Sequence, residues 1–207
     1  MIIAIDGPAA SGKGTLSKRL AVHFGLPHLD TGMLYRGVAR VLLDEGLPLD
    51  SEEAGEAVAL SFEPHLVDED RLRGREMGEA ASVVAAQPRV RAALLALQKA
   101  FARQPGGAVL DGRDIGTVIC PEADVKFFVT AAPEVRAERR AREFAARGEP
   151  AIFDEILAEI RQRDERDSHR SSAPLVIAAD AVVLDTSALD VAGVVAAALA
   201  VIWERAP

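Results

Sequence analysis

The residues able to do chemistry fall in a few short segments, and the first is Gly7-Pro8-Ala9-Ala10-Ser11-Gly12-Lys13-Gly14-Thr15, directly after the apolar run Met1 to Ile5. A buried strand that breaks into glycines and then enters a helix leaves several backbone N–H groups unpaired and aimed at one point, where a polyphosphate can sit. Gly7 and Gly12 permit the backbone angles and the close approach, and Lys13 brings a point charge. The spacing G-x-x-x-x-G-K is that of a triphosphate-binding loop, although Gly14 separates the lysine from Thr15, where the common form has Ser or Thr directly after it. A second segment, Gly107 to Thr117, holds an apolar strand that ends in Asp111 and is followed by Arg113 and Asp114. A carboxylate at such a strand end can hold magnesium or its water. In Asp30-Thr31-Gly32-Met33-Leu34-Tyr35-Arg36, Thr31 and Gly32 would open a helix whose N–H groups and hydroxyl can hold an anion, with Arg36 about one turn further in. Arg163, Asp167 and Arg170 share one helical face, a pattern that by itself more often marks a solvated surface than a site.

These segments need a scaffold that brings them to one place. Strands are predicted at Ile2–Asp6, Pro27–Asp30, Ala108–Asp111, Val125–Thr130 and Ala181–Asp185, with helical patterns between them. Leu16, Leu20, Ala21 and Phe24 form one face that Gly25 ends, and Leu34, Val38, Val41 and Leu42 form another before Gly46. Pro133 fits the first turn of an arginine-rich helix that Gly148 closes; Ile152 to Ile160 stripe the next, and Val191 to Arg205 make the last. Alternation of this kind specifies an α/β protein with a parallel sheet wrapped by helices. Asp6-Gly7, Asp30-Thr31, Asp111-Gly112 and Asp185-Thr186 each fall at a strand's carboxyl end, the rim where open α/β sheets bind ligands. Residues 47–78 are acidic and poorly periodic and read as an insertion.

The 207 residues suffice for one domain with a buried core, and a net charge of −8 argues against non-specific binding to nucleic acid or to an anionic membrane. A phosphate site must therefore concentrate its cations locally. Only four of the 24 basic residues are lysines, and arginine is the better bidentate partner for phosphate. The single cysteine, Cys120, excludes an internal disulfide, and no histidine cluster suggests a metal centre. With Met1 opening the first strand and no long apolar segment elsewhere, neither leader nor membrane anchor is expected, and the cytoplasm is the expected location.

Taken in order, GPAASGKGT, DTGMLYR, ASVVAAQPRVRAALLALQ, DGRDIGTVICPEADVKFFVTA, RDERDSHR, APL and AADAVVLDTS resemble the bacterial-type cytidylate kinases, CMP and dCMP kinases of the P-loop nucleoside monophosphate kinase group. The GKGT form of the loop is likewise similar to that group more than to switch GTPases. The resemblance covers nearly the whole chain. It implies a single kinase domain over residues 1–207, a five-stranded parallel sheet flanked by helices, lid helices over 133–170 and a small monophosphate-binding insertion over 47–78. Many bacterial members carry a longer insertion than this chain, in which Ser61 to Met77 is short.

The same resemblance implies ATP as phosphoryl donor on Gly7, Pro8, Ala9, Ala10, Ser11, Gly12, Lys13, Gly14 and Thr15, with the adenine near Leu184, Asp185, Thr186 and Ser187. Magnesium would be held through Thr15 and Asp111. The acceptor phosphate would lie near Thr31, Arg36, Arg113 and Arg170, the cytosine near Ser82, Arg91 and Asp114, and the ribose near Arg163 and Asp167. Lys13, Arg113 and the lid arginines Arg136, Arg139 and Arg140 would stabilise the transferring group, since phosphoryl transfer needs alignment and charge stabilisation more than covalent help. Cytosine suits this allocation, because Asp114 can accept from its N4 amine while Arg91 donates to the ring; uracil presents an oxygen there and would leave the carboxylate unpaired. The partners implied are CMP or dCMP and ATP, acting on a monomer. Alternatives from the residues are a kinase for UMP or for a non-nucleotide acceptor such as shikimate, and a GTP-dependent switch, which the absence of an N/T-K-x-D guanine-reading motif opposes.

Overall fold

The computed structural model describes residues 1–63 and 68–205. Strand β1 (Ile2–Asp6) enters the glycine-rich loop, which leads to α1 (Lys13–Phe24). Then come β2 (His28–Asp30), α2 (Thr31–Asp44), α3 (Glu52–Leu60), a 3-10 turn at Glu69–Leu72, α4 (Arg75–Val84) and α5 (Pro88–Ala102). The second half runs through β3 (Ala108–Gly112), a π-helical turn at Ile115–Ile119, β4 (Val125–Thr130), α6 (Pro133–Ala146), α7 (Phe153–His169), β5 (Val182–Asp185) and α8 (Val191–Arg205).

The strands pair in the order β2-β3-β1-β4-β5, every pair parallel, so the expected five-stranded parallel sheet is present. Strand ends differ from expectation by about a residue. Proline has no N–H to give a ladder, and Pro27 contributes only its carbonyl, which accepts from Val109 N at 2.9 Å just ahead of β2. The register sets Asp30 beside Asp111 and Asp6 beside Gly112, which lines the carboxyl ends up along one rim.

One sheet face buries Ile3, Ile5, Val109, Phe127 and Val129 against Leu16 and Leu20 of α1 and Val194, Ala198 and Ile202 of α8. The other face buries Ala4, Ala108 and Leu110 against Ile115 and Ile119. Strands covered on both sides read as continuous apolar runs, which is why they were visible without alternation. Helices α2, α3, α4 and α5 share a separate core that includes Leu34, Val38, Val84, Val90 and Leu94, and Phe144, Ile156 and Ile160 join α6 to α7. No single helix among the described residues is long and apolar enough to cross a membrane.

Within the segment expected as an insertion, Ser51 caps α3 by accepting from Ala54 N, and Ala59, Leu72 and Met77 are buried. Its weak periodicity hid a helix because α3 buries only small residues: a Cβ at Gly55 would stand 2.7 Å from a Val90 methyl. Pro64 to Val67, in the middle of that segment, lie outside the described residues.

Candidate active site

At the end of β1 the chain passes Gly7 at φ +149°, where a Cβ would fall 2.0 Å from the Val129 carbonyl oxygen, so nothing larger than glycine fits. Ala10 and Gly12 then take left-handed angles, and α1 begins with no side-chain cap on its first N–H groups. Those donors are free to meet an anion. Thr15 is exposed on the first turn. Lys13 is tucked under the loop and donates to Pro8 O at 3.1 Å. Burial, reinforced by Arg113 and opposed by Asp111 and Asp30, pushes its ammonium down to about 7. A polyphosphate on the loop would restore the charge.

Beside the loop, Asp111 ends β3 with one carboxylate oxygen 2.7 Å from His28 Nε2, and its carbonyl accepts from Thr31 Oγ1 at 2.9 Å. Asp30 accepts from Gly32 N and so caps α2; burial first, and then Asp111, raises its carboxyl above the ordinary range. Asp6 is buried too. Its two oxygens accept from Ile115 N and Gly116 N, each at 2.8 Å, which ties the π-helical turn behind Arg113 and Asp114 to the central strand. Burial, partly offset by those bonds, lifts Asp6 to about 6. His28 and Asp6 were not singled out as site residues from sequence; Asp6 was visible only as a strand-end carboxylate, and nothing local marked His28.

A cavity of about 170 Å³ opens at this rim, and Lys13, Thr31, Arg36, Ser82, Arg91, Arg113, Asp114, Arg140, Arg163, Asp167 and Arg170 all line it. Each charged group there has a defined partner. Arg91 pairs with Asp114 and stands over the Tyr35 ring, 5.5 Å from its centre. Arg113 Nε donates to Asp167 at 2.8 Å, Arg36 Nη1 to Leu72 O at 2.7 Å, and Arg163 Nη1 to Gly78 O at 3.1 Å. Burial alone would raise the Asp167 carboxyl, yet Arg113 and Arg163 outweigh it and hold the group below its ordinary range. Burial and then Arg113 bring Arg163 down to about 9. Arg170 Nη2 is buried without a hydrogen-bond partner, 3.7 Å from Asp114. So many crowded guanidinium groups form a strong local anion site in a protein whose exterior is acidic.

The arginines of α6 expected to close over the transferring group divide. Arg136 is buried, forks onto Asp164 at 2.9 and 2.6 Å and donates to Ala131 O, so it joins α6 to α7. Arg139 reaches Thr186 Oγ1 at 2.8 Å and the Thr186 carbonyl at 2.6 Å. Arg140 borders the arginine-lined cavity, with its guanidinium 4.9 Å from the centre of the Phe144 ring. A second groove, on the other side of the loop, is lined by Gly12, Thr15, Arg139, Thr186 and Leu189. Of the segment Leu184 to Ser187 only Thr186 faces this groove. Leu184 packs in the core, Asp185 accepts from Ser187 N, and Ser187 Oγ accepts from Ala132 N.

Thr15 and Asp111 border different hollows, with Lys13 and Asp30 between them. No cluster of three potential metal ligands exists among the described residues. The donor set still suits magnesium, which is commonly held by one or two carboxylates together with substrate phosphates rather than by a protein cage.

A glycine-rich loop on the central strand, a lysine beneath it and arginine-rich helices beside it, all on the carboxyl rim of a parallel sheet, define a P-loop phosphotransferase. Solved structures agree on the fold: a gluconokinase from Sinorhizobium meliloti is 17% identical with a TM-score of 0.52, covering 98% of this chain and 91% of that one. The model of the family described as cytidylate kinase matches residues 3–204. A cytidylate kinase of Xanthobacter autotrophicus is 63% identical over 205 residues, 99% of this chain and 98% of that protein. Another, of Azorhizobium caulinodans, is 61% identical over 206 residues, 100% of this chain and 99% of that protein. The chain belongs to the cytidylate kinase family.

Proposed function

We propose that this enzyme transfers the γ-phosphoryl group of ATP to CMP or dCMP, giving ADP and CDP or dCDP, with the donor on the glycine-rich loop and the acceptor in the arginine-lined cavity. The observation that carries the allocation is the convergence of Lys13, Arg36, Arg113, Arg140, Arg163 and Arg170 on one hollow beside that loop. Two polyanionic reactants repel one another, and cations held in place by carboxylates and carbonyls offset that repulsion without reorganising during the reaction. An oxygen of the acceptor phosphate bonds to the γ-phosphorus as the bridge to the β-phosphate breaks, and the electrons leave with ADP. Lys13 and the loop amides hold the β and γ phosphates; Arg140, inward from the lid, and Arg113 bear on the transferring group. Arg36 and Arg170 hold the acceptor phosphate beside the N-terminus of α2, while Asp167 and Arg163 meet the sugar. Magnesium, bound through the phosphates with Asp111 and Thr15 directly or through water, would neutralise charge between donor and acceptor.

Asp114 and Arg91 are matched to cytosine. Asp114 offers an acceptor to the N4 amine, and a uracil oxygen in its place would face a carboxylate. We further infer a monomer, since the apolar stripe of α8 is already covered by α1 and the sheet. Sedimentation at micromolar concentration tests the monomer. Coupled ADP release with ATP and magnesium across CMP, dCMP, UMP, AMP and shikimate tests the activity. Turnover confined to CMP and dCMP is expected, and faster turnover of any other acceptor refutes the assignment.

A further inference from the structure

We propose that Arg166 sets the hydrogen-bond polarity of Ser82 and thereby helps the enzyme reject UMP; the role rests on the reading of Ser82 as a contact of the base. Ser82 sits on α4, is 2% exposed and lines the acceptor cavity with Arg91 and Asp114. Arg166 reaches it from α7, on the lid, and donates from Nη1 to Ser82 Oγ at 2.9 Å. Its Nη2 donates to Glu79 at 2.7 Å, so the guanidinium is held from both sides of one α4 turn.

A guanidinium carries only donors, whereas a hydroxyl can donate or accept. Ser82 must therefore accept from Arg166, and its own hydrogen must point elsewhere. A serine within a helix commonly donates to the carbonyl four residues back. Here that carbonyl, Gly78 O, accepts from Arg163, and Ser82 donates to no acceptor among the described residues. The remaining direction is the cavity. Without Arg166 the hydroxyl could turn to accept, and it would serve either pyrimidine. Arg166 takes one of the two lone pairs of Oγ, and with the Gly78 carbonyl already used by Arg163 and by the helix, the hydroxyl hydrogen is left to the cavity, which Ser82 meets as a donor. Both pyrimidines present O2 as an acceptor, so the discrimination lies at N3: unprotonated in cytosine, it accepts from Ser82, whereas the uracil N3–H sets a donor against a donor. Arg166 touches no substrate in this scheme and is a positioning residue. Because it comes from the lid, selectivity at Ser82 is complete only when α7 lies against α4.

The test compares kcat/KM for CMP and UMP in R166M, R166K, E79Q and S82A, with melting curves to confirm that each variant folds. R166M is expected to lower the CMP to UMP ratio about five- to tenfold, the size of one misdirected hydrogen bond. R166K keeps a donor-only neighbour and should retain most of the ratio, and E79Q should lose part of it. A ratio unchanged in R166M, with both substrates slowed equally, would reduce Arg166 to a strut between lid and insertion and overturn the proposal, provided S82A still lowers the ratio. An unchanged ratio in S82A would remove Ser82 from base reading altogether, and the proposal with it.

Discussion

Replacing Asp114 by Asn changes one atom and should move the base preference of the enzyme toward UMP. Asp114 is 4% exposed, and one of its oxygens is held in the ion pair with Arg91, itself 8% exposed and bonded to Ala85 O at 3.1 Å. Arg91 accepts nothing, so in D114N the amide oxygen turns toward it and the amide nitrogen takes the place of the other oxygen, at the cavity wall 3.7 Å from Arg170 Nη2. The cytosine N4 amine then meets a donor where it had a charged acceptor, a loss of about 1.5 to 3 kcal/mol. Uracil O4 meets a donor where it had a carboxylate, a gain of about 0.5 to 1.5 kcal/mol. Together these shift the CMP to UMP ratio of kcat/KM by about 2 to 4.5 kcal/mol, or roughly 30- to 2,000-fold. D114A removes the acceptor without supplying a donor and should show only the first part. It also strands Arg91 and brings a melting temperature well below that of D114N, since breaking a buried pair costs about 3 to 5 kcal/mol. The assay is coupled ADP release with each nucleotide at saturating ATP. A ratio altered less than about threefold in D114N, or an equal fall for both nucleotides, refutes the reasoning by showing that the base is read elsewhere.

Further outcomes follow from the charged network. Arg75 on α4 pairs with Glu155 and Glu159 of α7 and so ties together two helices that border the cavity proposed for the acceptor. R75A should raise the acceptor association rate about two- to fivefold at low salt, as befits half-exposed pairs; stopped-flow rates that match the wild type would count against this latch. K13M should cut turnover by at least about 100-fold while leaving the melting temperature unchanged or higher, because a half-buried ammonium that desolvation destabilises is removed. A fall of several degrees would show that the bond to Pro8 outweighs that burial. Asp6 has a folded value of about 6, above the ordinary 3.8, so the native state holds its proton more tightly and this group's contribution to stability falls as pH rises from about 4 to 6. The decline amounts to about 3 kcal/mol. Urea unfolding at pH 4.5 and 7 should show the advantage of wild type over D6N shrinking toward neutral pH, and a constant difference would refute it.

Much of the fold is legible in the sequence because its signals are local. The apolar runs of β1, β3 and β4 and the helical faces ended by Gly25 and Gly46 state their structure within a few residues. Helix α3 was not legible, since its contacts with α5 lie more than thirty positions away and its own buried residues are small. The π-helical turn was equally hidden, for what holds it is Asp6, more than a hundred residues upstream.

By itself the amino-acid order determined a phosphate-binding loop between strand and helix, a parallel α/β architecture and a set of polar groups at strand ends. Backbone angles, chain stiffness and hydrophobic period act over a turn or a strand, and a linear reading captures them. Which partner each charged side chain takes was decided only in three dimensions. Arg136 could have reached the cavity as plausibly as Arg140, but the packing of α6 on α7 gives it Asp164. His28 meets Asp111 because β2 lies beside β3, and Ser82 receives Arg166 because α7 rests on α4. Ion pairs and hydrogen bonds are set by distances of a few ångströms, and lateral strand order and helix packing fix those distances after the local structure has formed.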